Sequence, residues 1–302
     1  MKKSTCKSLR ELLYDESSDL FSLAEEGTEC DSLGSNGNGN GIGNRDGDGE
    51  HMVERLGKHG ARLRDLRRRV RRRHRGEVVV DGRRLVDDLV RWEVPIRELY
   101  LTPEIASDAA VAAWTAAADS VFELEASVLD EVAPTRSPQG VLAVAEEPRW
   151  PPWAADRGVA LWLDRVQDPG NLGAIVRAAA GLGAATVLLS PECADPFGPS
   201  AVRGAAGAVF RVPLEREVGA AGAVERVRAA GGEVWATGAE GRPIEGWRPA
   251  EPCLLLLGAE GSGLGPEATD LVDGSVTIPL GRAVESLNVA VATGIILQHL
   301  RC

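Results

Sequence analysis

No apolar run in the sequence approaches the ~20 residues that a membrane-spanning helix requires, and the N-terminus lacks the basic-then-apolar order of a secretory signal. A cytoplasmic protein is therefore expected. The cysteines, Cys6, Cys30, Cys193, Cys253 and Cys302, are odd in number and never spaced Cys-x-x-Cys, which excludes a disulfide framework and a zinc-ribbon pattern. Clustered His and Cys ligands are also lacking, so no metal is expected. What remains is an ordinary globular composition: 302 residues, 44% hydrophobic, enough for one or two domains with a sizeable core.

The formal charge of -11 argues against nucleic-acid binding until its distribution is considered. Residues 1–52 hold 5 Lys and Arg against 11 Asp and Glu, whereas residues 55–75 hold 11 Lys and Arg against the single Asp65. A basic patch is thus set in an acidic chain. Residues 1–52 include GSNGNGNGIGNRDGDGE, too polar to repay the entropy of ordering it, and read as a disordered acidic tail. His51-Met52 resembles a cloning scar, which leaves a fused peptide as the other reading of that segment. Residues 53–75 read as a basic amphipathic helix: Leu56, Leu63, Leu66 and Val70 share one face, and Arg67, Arg68, Arg71 and Arg72 are expected to contact RNA phosphates.

From 76 to 147 the pattern predicts a small α/β domain, with strands at Glu77–Val80 and Ile96–Leu101, helices at Arg83–Trp92 and Ala109–Ala118, and a closing strand in VLAVA. Residues 148–157, PRWPPWAADR, have linker composition. From 158 to 302 apolar runs (VALWL, ATVLLS, EVWATG, PCLLLLG, SVTIPL) alternate with helical stretches, the signature of a parallel α/β sheet.

Three segments follow predicted strands, where ligand crevices form in such sheets. DRVQDPGNLGAIVRAA carries Asp164 and opens a helix at Asn171 or Leu172, with Arg177 on its second turn. GAEGSGLGPE is a glycine loop whose backbone can approach a ligand closely, with Glu260 its only charge before Glu267. IPLGRAVESLNVAVATG leads from a strand into a helix whose start is marked by Ser286 and Asn288. Each alone is also what a tight turn, a helix cap or a helix-surface arginine looks like.

Together, in this order and spacing, they resemble the three signature motifs of the SpoU (TrmH-like) family of the SPOUT superfamily, which methylates ribose 2′-hydroxyls of RNA. The segment TRSPQGVLAV and its domain look like the family's small RNA substrate-binding domain. The resemblance implies an α/β fold with a parallel sheet and a C-terminal trefoil knot, an exception to the rule against knots. It further implies a homodimer and S-adenosylmethionine as cofactor, held by the loops of Gly258, Ile278 and Leu287 with Thr237 and Gly238. Asn171, Arg177, Glu260, Ser286 and Asn288 match the family's polar reaction-site positions. Motif 3 is similar to that of the ribosomal guanosine-2′-O-methyltransferase subgroup, which places ribosomal RNA ahead of transfer RNA as substrate. Two departures are Ala205, where the family commonly has Ser, and Ala178 beside Arg177, where a small hydroxyl residue is frequent.

Competing readings are a non-catalytic RNA-binding relative and a methyltransferase acting on a peptide or small molecule. A dinucleotide oxidoreductase is disfavoured because no Gly-x-Gly-x-x-Gly opens the first helix of the sheet.

Overall fold

The computed structural model describes residues 53–71, 75–106, 111–135, 137–259, 261 and 263–301. The expectations for residues 1–52, Arg72 and Glu260 lie outside these.

The N-terminal half is built on a mixed sheet. Its elements are β1 (Glu54–Arg55), α1 (Ala61–Arg71), β2 (Glu77–Asp81), α2 (Arg83–Arg91), β3 (Ile96–Leu101), α3 (Pro103–Ala106), α4 (Val111–Ala117), β4 (Ala118–Glu123), α5 (Ala126–Val132) and β5 (Val141–Glu146). The sheet order is β1-β4-β3-β5-β2, with β1, β4 and β3 parallel and β5 antiparallel to both β3 and β2. The basic helix is shorter than its charge suggests. Glu54 and Arg55 pair as a strand with Phe122 and Glu123, and the helix begins only at Ala61. Leu63 and Leu66 are fully buried on β-sheet residues such as Tyr100 and Phe122, while Leu56 reaches the same cluster from outside the helix.

The C-terminal half contains β6 (Val159–Leu163), α6 (Pro169–Leu182), β7 (Thr186–Leu189), α7 (Pro199–Gly204) and a 3-10 turn at Ala208–Phe210. There follow β8 (Leu214–Glu215), α8 (Ala220–Ala229), β9 (Glu233–Pro243), β10 (Cys253–Leu257), α9 (Pro266–Thr269), β11 (Gly274–Thr277) and α10 (Val289–Arg301). All six strands are parallel, in the order β11-β9-β10-β6-β7-β8. A parallel sheet covered on both faces needs strands that are apolar throughout. CLLLL of β10 is buried at every position and TVLL of β7 likewise.

The two halves share one continuous core, which joins Val78, Val86 and Ile96 to Leu161, Leu172 and Val209. At their seam Gly207 has φ 79°, and a Cβ there would lie 3.1 Å from the Trp92 ring, so glycine permits both the turn and the approach. Between the halves, residues 148–157 pack rather than hang free. Ala155 is buried, and Arg216 pairs with Glu147 at 2.5 Å. No described helix is long and apolar enough to cross a membrane.

Candidate active site

The carboxyl ends of β9, β10 and β11 open into a cavity of about 1090 Å³. Three stretches wall it: Thr237 to Ala239 after the buried part of β9, Gly258, Ala259, Gly261 and Gly263 after β10, and Val276 to Leu280 with Val284 to Asn288 on the way into α10. Val289, Ala292 and Ile296 close it from the helix side.

Local sequence explains each wall. The glycine loop folds back on itself, with the Gly263 N–H donating to the Ala259 carbonyl at 3.0 Å. A Cβ at Gly258 would lie 2.2 Å from the Gly263 carbonyl carbon, so only glycine permits that closure. The loop is also tied to the next strand. Asp164, at the end of β6, accepts from the Gly265 N–H at 2.8 Å and from Arg165 at 2.9 and 3.1 Å. The sequence pattern places Asp164 only in the segment that carries Asn171 and Arg177. Its signal was an acid directly after a buried apolar strand.

On the far side, Asn288 caps α10, its Oδ1 accepting from the Ala290 and Val291 N–H groups at 2.9 and 3.3 Å. Its Nδ2 donates to Asn171 Oδ1 at 2.8 Å, joining the first turn of α6 to the cavity rim. Asp168 in turn caps α6 by accepting from the Asn171 N–H at 2.7 Å. The α6 helix therefore starts at Pro169, two or three residues earlier than the sequence pattern suggests, and Arg177 falls in its third turn.

The expected cofactor positions Thr237, Gly238, Gly258, Ile278 and Leu287 all line the cavity, together with Ser286 and Asn288. Ser286 does not cap the last helix. Asn171 joins through its hydrogen bond to Asn288. Arg177 does not line the cavity; it is exposed, and lies six residues beyond Asn171, or about 9 Å along the helix and a third of a turn round from it. It makes no hydrogen bond or ion pair with any described residue. The helix arginines divide. Arg67 pairs with Glu131 at 3.0 Å and Arg68 with Asp65, whereas Arg71 is exposed and unpaired among the described residues. Asp65 has its pKa lowered: partial burial opposes the shift, and the adjoining Arg69 and Arg68 outweigh it.

Among the described lining residues there is no Lys, Arg or His, and Glu285 is the only charged side chain. Such a cavity offers main-chain donors and acceptors and apolar walls, with nothing to neutralise a phosphate. No three described His, Cys, Asp or Glu side chains are placed to hold a metal ion.

Fold and cavity together define an open parallel α/β protein with one large ligand crevice at its strand ends. The chain belongs to the SpoU RNA methyltransferase family: residues 158–298 match the SpoU rRNA Methylase family and residues 48–143 match the MRM3-like substrate binding domain. It is 31% identical over 226 residues to the 23S rRNA (guanosine(2553)-2′-O)-methyltransferase RlmP of Bacillus subtilis, covering 74% of this chain and 88% of the relative. The AdoMet-bound rRNA methyltransferase of Sinorhizobium meliloti superposes with TM-score 0.72 at 31% identity, covering 82% of this chain and 97% of that one. The SpoU methyltransferase AviRb of Streptomyces viridochromogenes, solved with AdoMet, superposes with TM-score 0.68 at 27% identity, covering 80% and 97%.

Proposed function

We propose that this protein transfers a methyl group from S-adenosylmethionine to a ribose 2′-hydroxyl of RNA, ribosomal RNA ahead of transfer RNA. The observation that carries the reading is the crevice at the carboxyl ends of β9, β10 and β11, whose described lining residues include no Lys, Arg or His. No described lining residue is a cation that would balance the charge of a dinucleotide's pyrophosphate, whereas a sulfonium-bearing adenosyl ligand carries no phosphate and needs apolar contact, backbone hydrogen bonds and no positive neighbour. Relatives solved with AdoMet bound share the fold over about four-fifths of this chain.

Thr237, Gly238, Gly258, Ile278 and Leu287 would hold the cofactor, which when bound supplies an electrophilic methyl group. The remaining work falls to side chains. Asn171 and Asn288, locked together by their amides, orient the ribose at the rim, and Ser286 lines the same wall. Arg177, open to solvent and always charged, holds a phosphate oxygen or polarises the hydroxyl rather than accepting its proton. Glu260 completes the polar set by its position in the motif.

We further infer the family's trefoil knot and its homodimer. The knot is supported by the loops after β10 and β11 meeting in one cavity. The dimer is supported by Leu280, Val284, Val291 and Ile295, large apolar side chains left exposed beside that cavity. Sedimentation should show a dimer at micromolar concentration.

The deciding experiment is nucleoside mass spectrometry of ribosomal and transfer RNA from cells with and without the gene. One 2′-O-methylnucleotide should disappear from ribosomal RNA. An unchanged inventory in both RNAs, with purified protein and cofactor also inert on them, would remove the reading.

A further inference from the structure

A second cavity, of about 550 Å³, lies at the seam between the two halves and is chemically unlike the first. Its walls are Asp81 and Gly82 at the end of β2, Arg84 and Leu85 on the first turn of α2, Pro134, Thr135, Ser137 and Gln139, and Arg203 from α7 of the other half. The volume is within the ~300 to 1,000 Å³ usual for small-ligand sites.

Three charged groups, Asp81, Arg84 and Arg203, line it. Asp81 Oδ2 accepts from the Thr135 hydroxyl, but Oδ1 is buried with no partner. The N-cap of α2 is Gly82, which has no side chain to offer, and the Arg83 N–H donates to Gln139 Oε1 at 3.1 Å, so Asp81, one residue before the cap, does not cap the helix. Arg84 and Arg203 are exposed and make no hydrogen bond or ion pair among the described residues. Elsewhere in this half Arg55, Arg62, Arg67, Arg68, Arg69 and Arg97 are all ion-paired. Burial raises the Asp81 pKa, and the Thr135 hydrogen bond and the Arg203 charge offset it only in part.

The cavity is also joined to the crevice. Helix α7 presses on the start of α6: a Cβ at Gly173 would lie 2.5 Å from the Ala201 carbonyl oxygen and one at Gly204 would lie 3.2 Å from that of Gly170. Arg203 is thus fixed to the same helical turn whose Asn171 bonds to Asn288 at the crevice rim.

Resting on the assignment of RNA as substrate, we propose that this seam cavity seats one nucleotide of single-stranded RNA other than the one methylated. A guanine edge faces Asp81, and Arg84 and Arg203 hold the flanking phosphates. A carboxylate only accepts, and guanine alone among the four bases offers two adjacent N–H donors, N1 and N2, to it. Two guanidiniums lining the same cavity suit the two phosphates that bracket a nucleotide in a strand.

The test uses the full chain saturated with S-adenosylmethionine, so that the crevice is occupied, titrated calorimetrically with guanosine 3′,5′-bisphosphate, adenosine 3′,5′-bisphosphate and inorganic phosphate. The guanosine compound should bind about tenfold more tightly than the adenosine one. Asp81→Asn should erase that preference, and Arg203→Gln should weaken both nucleotides alike. Both variants should keep the wild-type affinity for S-adenosylmethionine, which serves as the folding control. No binding to the wild type, or equal affinity for both nucleotides and phosphate, overturns the proposal while leaving methyl transfer untouched. Failure of the RNA reading shows separately, as absence of any 2′-O-methylnucleotide in RNA incubated with the wild-type enzyme.

Discussion

The two cavities of this protein sit on either side of the first turns of α6 and share almost no chemistry. The crevice at the strand ends is walled by glycines, apolar side chains and main chain, with Glu285 its only charge among the described residues. The seam cavity is half its volume and lined by Asp81, Arg84, Arg203 and hydroxyl side chains. A ligand recognised by backbone shape and a ligand recognised by charge are thereby kept apart, so each can be perturbed without the other.

The hardest test of that separation is Arg177→Ala. With Arg177 outside the crevice, turnover should fall ~100- to 1,000-fold, the usual effect of losing a charged contact made in the transition state. Cofactor affinity should stay within about twofold by calorimetry. Full turnover at saturating cofactor would end the assignment, and Arg177→Lys should rescue little because it lacks the planar fork.

Salt should divide the two ligands next. Between 50 and 200 mM salt, RNA affinity should drop ~10-fold or more through counterion uptake. S-adenosylmethionine affinity, set by an uncharged wall, should scarcely move. Parallel losses in a filter-binding and calorimetric series would break the comparison.

A backbone lesson comes from Gly258→Ala. The added Cβ meets the Gly263 main chain, which cannot swing aside as a flexible side chain would. Cofactor binding should weaken about tenfold, ~1.4 kcal/mol, with circular dichroism and RNA affinity unchanged. On α1, Arg71→Gln should flatten the salt slope by about one phosphate contact; Arg67→Gln and Arg68→Gln should do less, because Glu131 and Asp65 already hold those side chains.

The smallest effect concerns stability. Because burial raises the folded-state pKa of Asp81 above its unfolded value, its charged form is disfavoured by folding above that pKa. Asp81→Asn should therefore raise the urea midpoint slightly at pH 7. The gain should fade as pH falls below the unfolded carboxylate range, where both states of the wild type are protonated.

Much of this arrangement was legible in the sequence where local pattern and final environment agree. CLLLL and VALWL can only be buried strands, and the glycine loop after Leu257 marks itself by composition. Seven of the residues expected at the site line one cavity because their motifs all follow strand ends of a single sheet. The failures have the opposite cause. ADSVFE, β4, follows an alanine run that reads as helix, and it is a strand only because β1 and β3 pair on either side of it. The two-residue β1 interrupts what charge alone paints as one long helix. Helix α7, PSAVRG, has no apolar period and owes its place to close packing on Gly173. The seam cavity was invisible for the same reason: Asp81 and Arg203 stand 122 positions apart, and nothing near either announces the other.

The crevice wall that includes Asn288, Ala292 and Ile296 has a consequence for biosynthesis. Strands β6, β7, β9 and β10 can pair as they leave the ribosome, but the pocket they border has no outer side until residue 296 has emerged and Asn288 has found Asn171, 117 positions earlier in the chain. A nascent chain therefore reaches a sheet-competent stage well before it can retain cofactor. Ligand affinity in this protein reports that α10 has docked, and a ribosome stalled before α10 should display a folded, cofactor-blind intermediate.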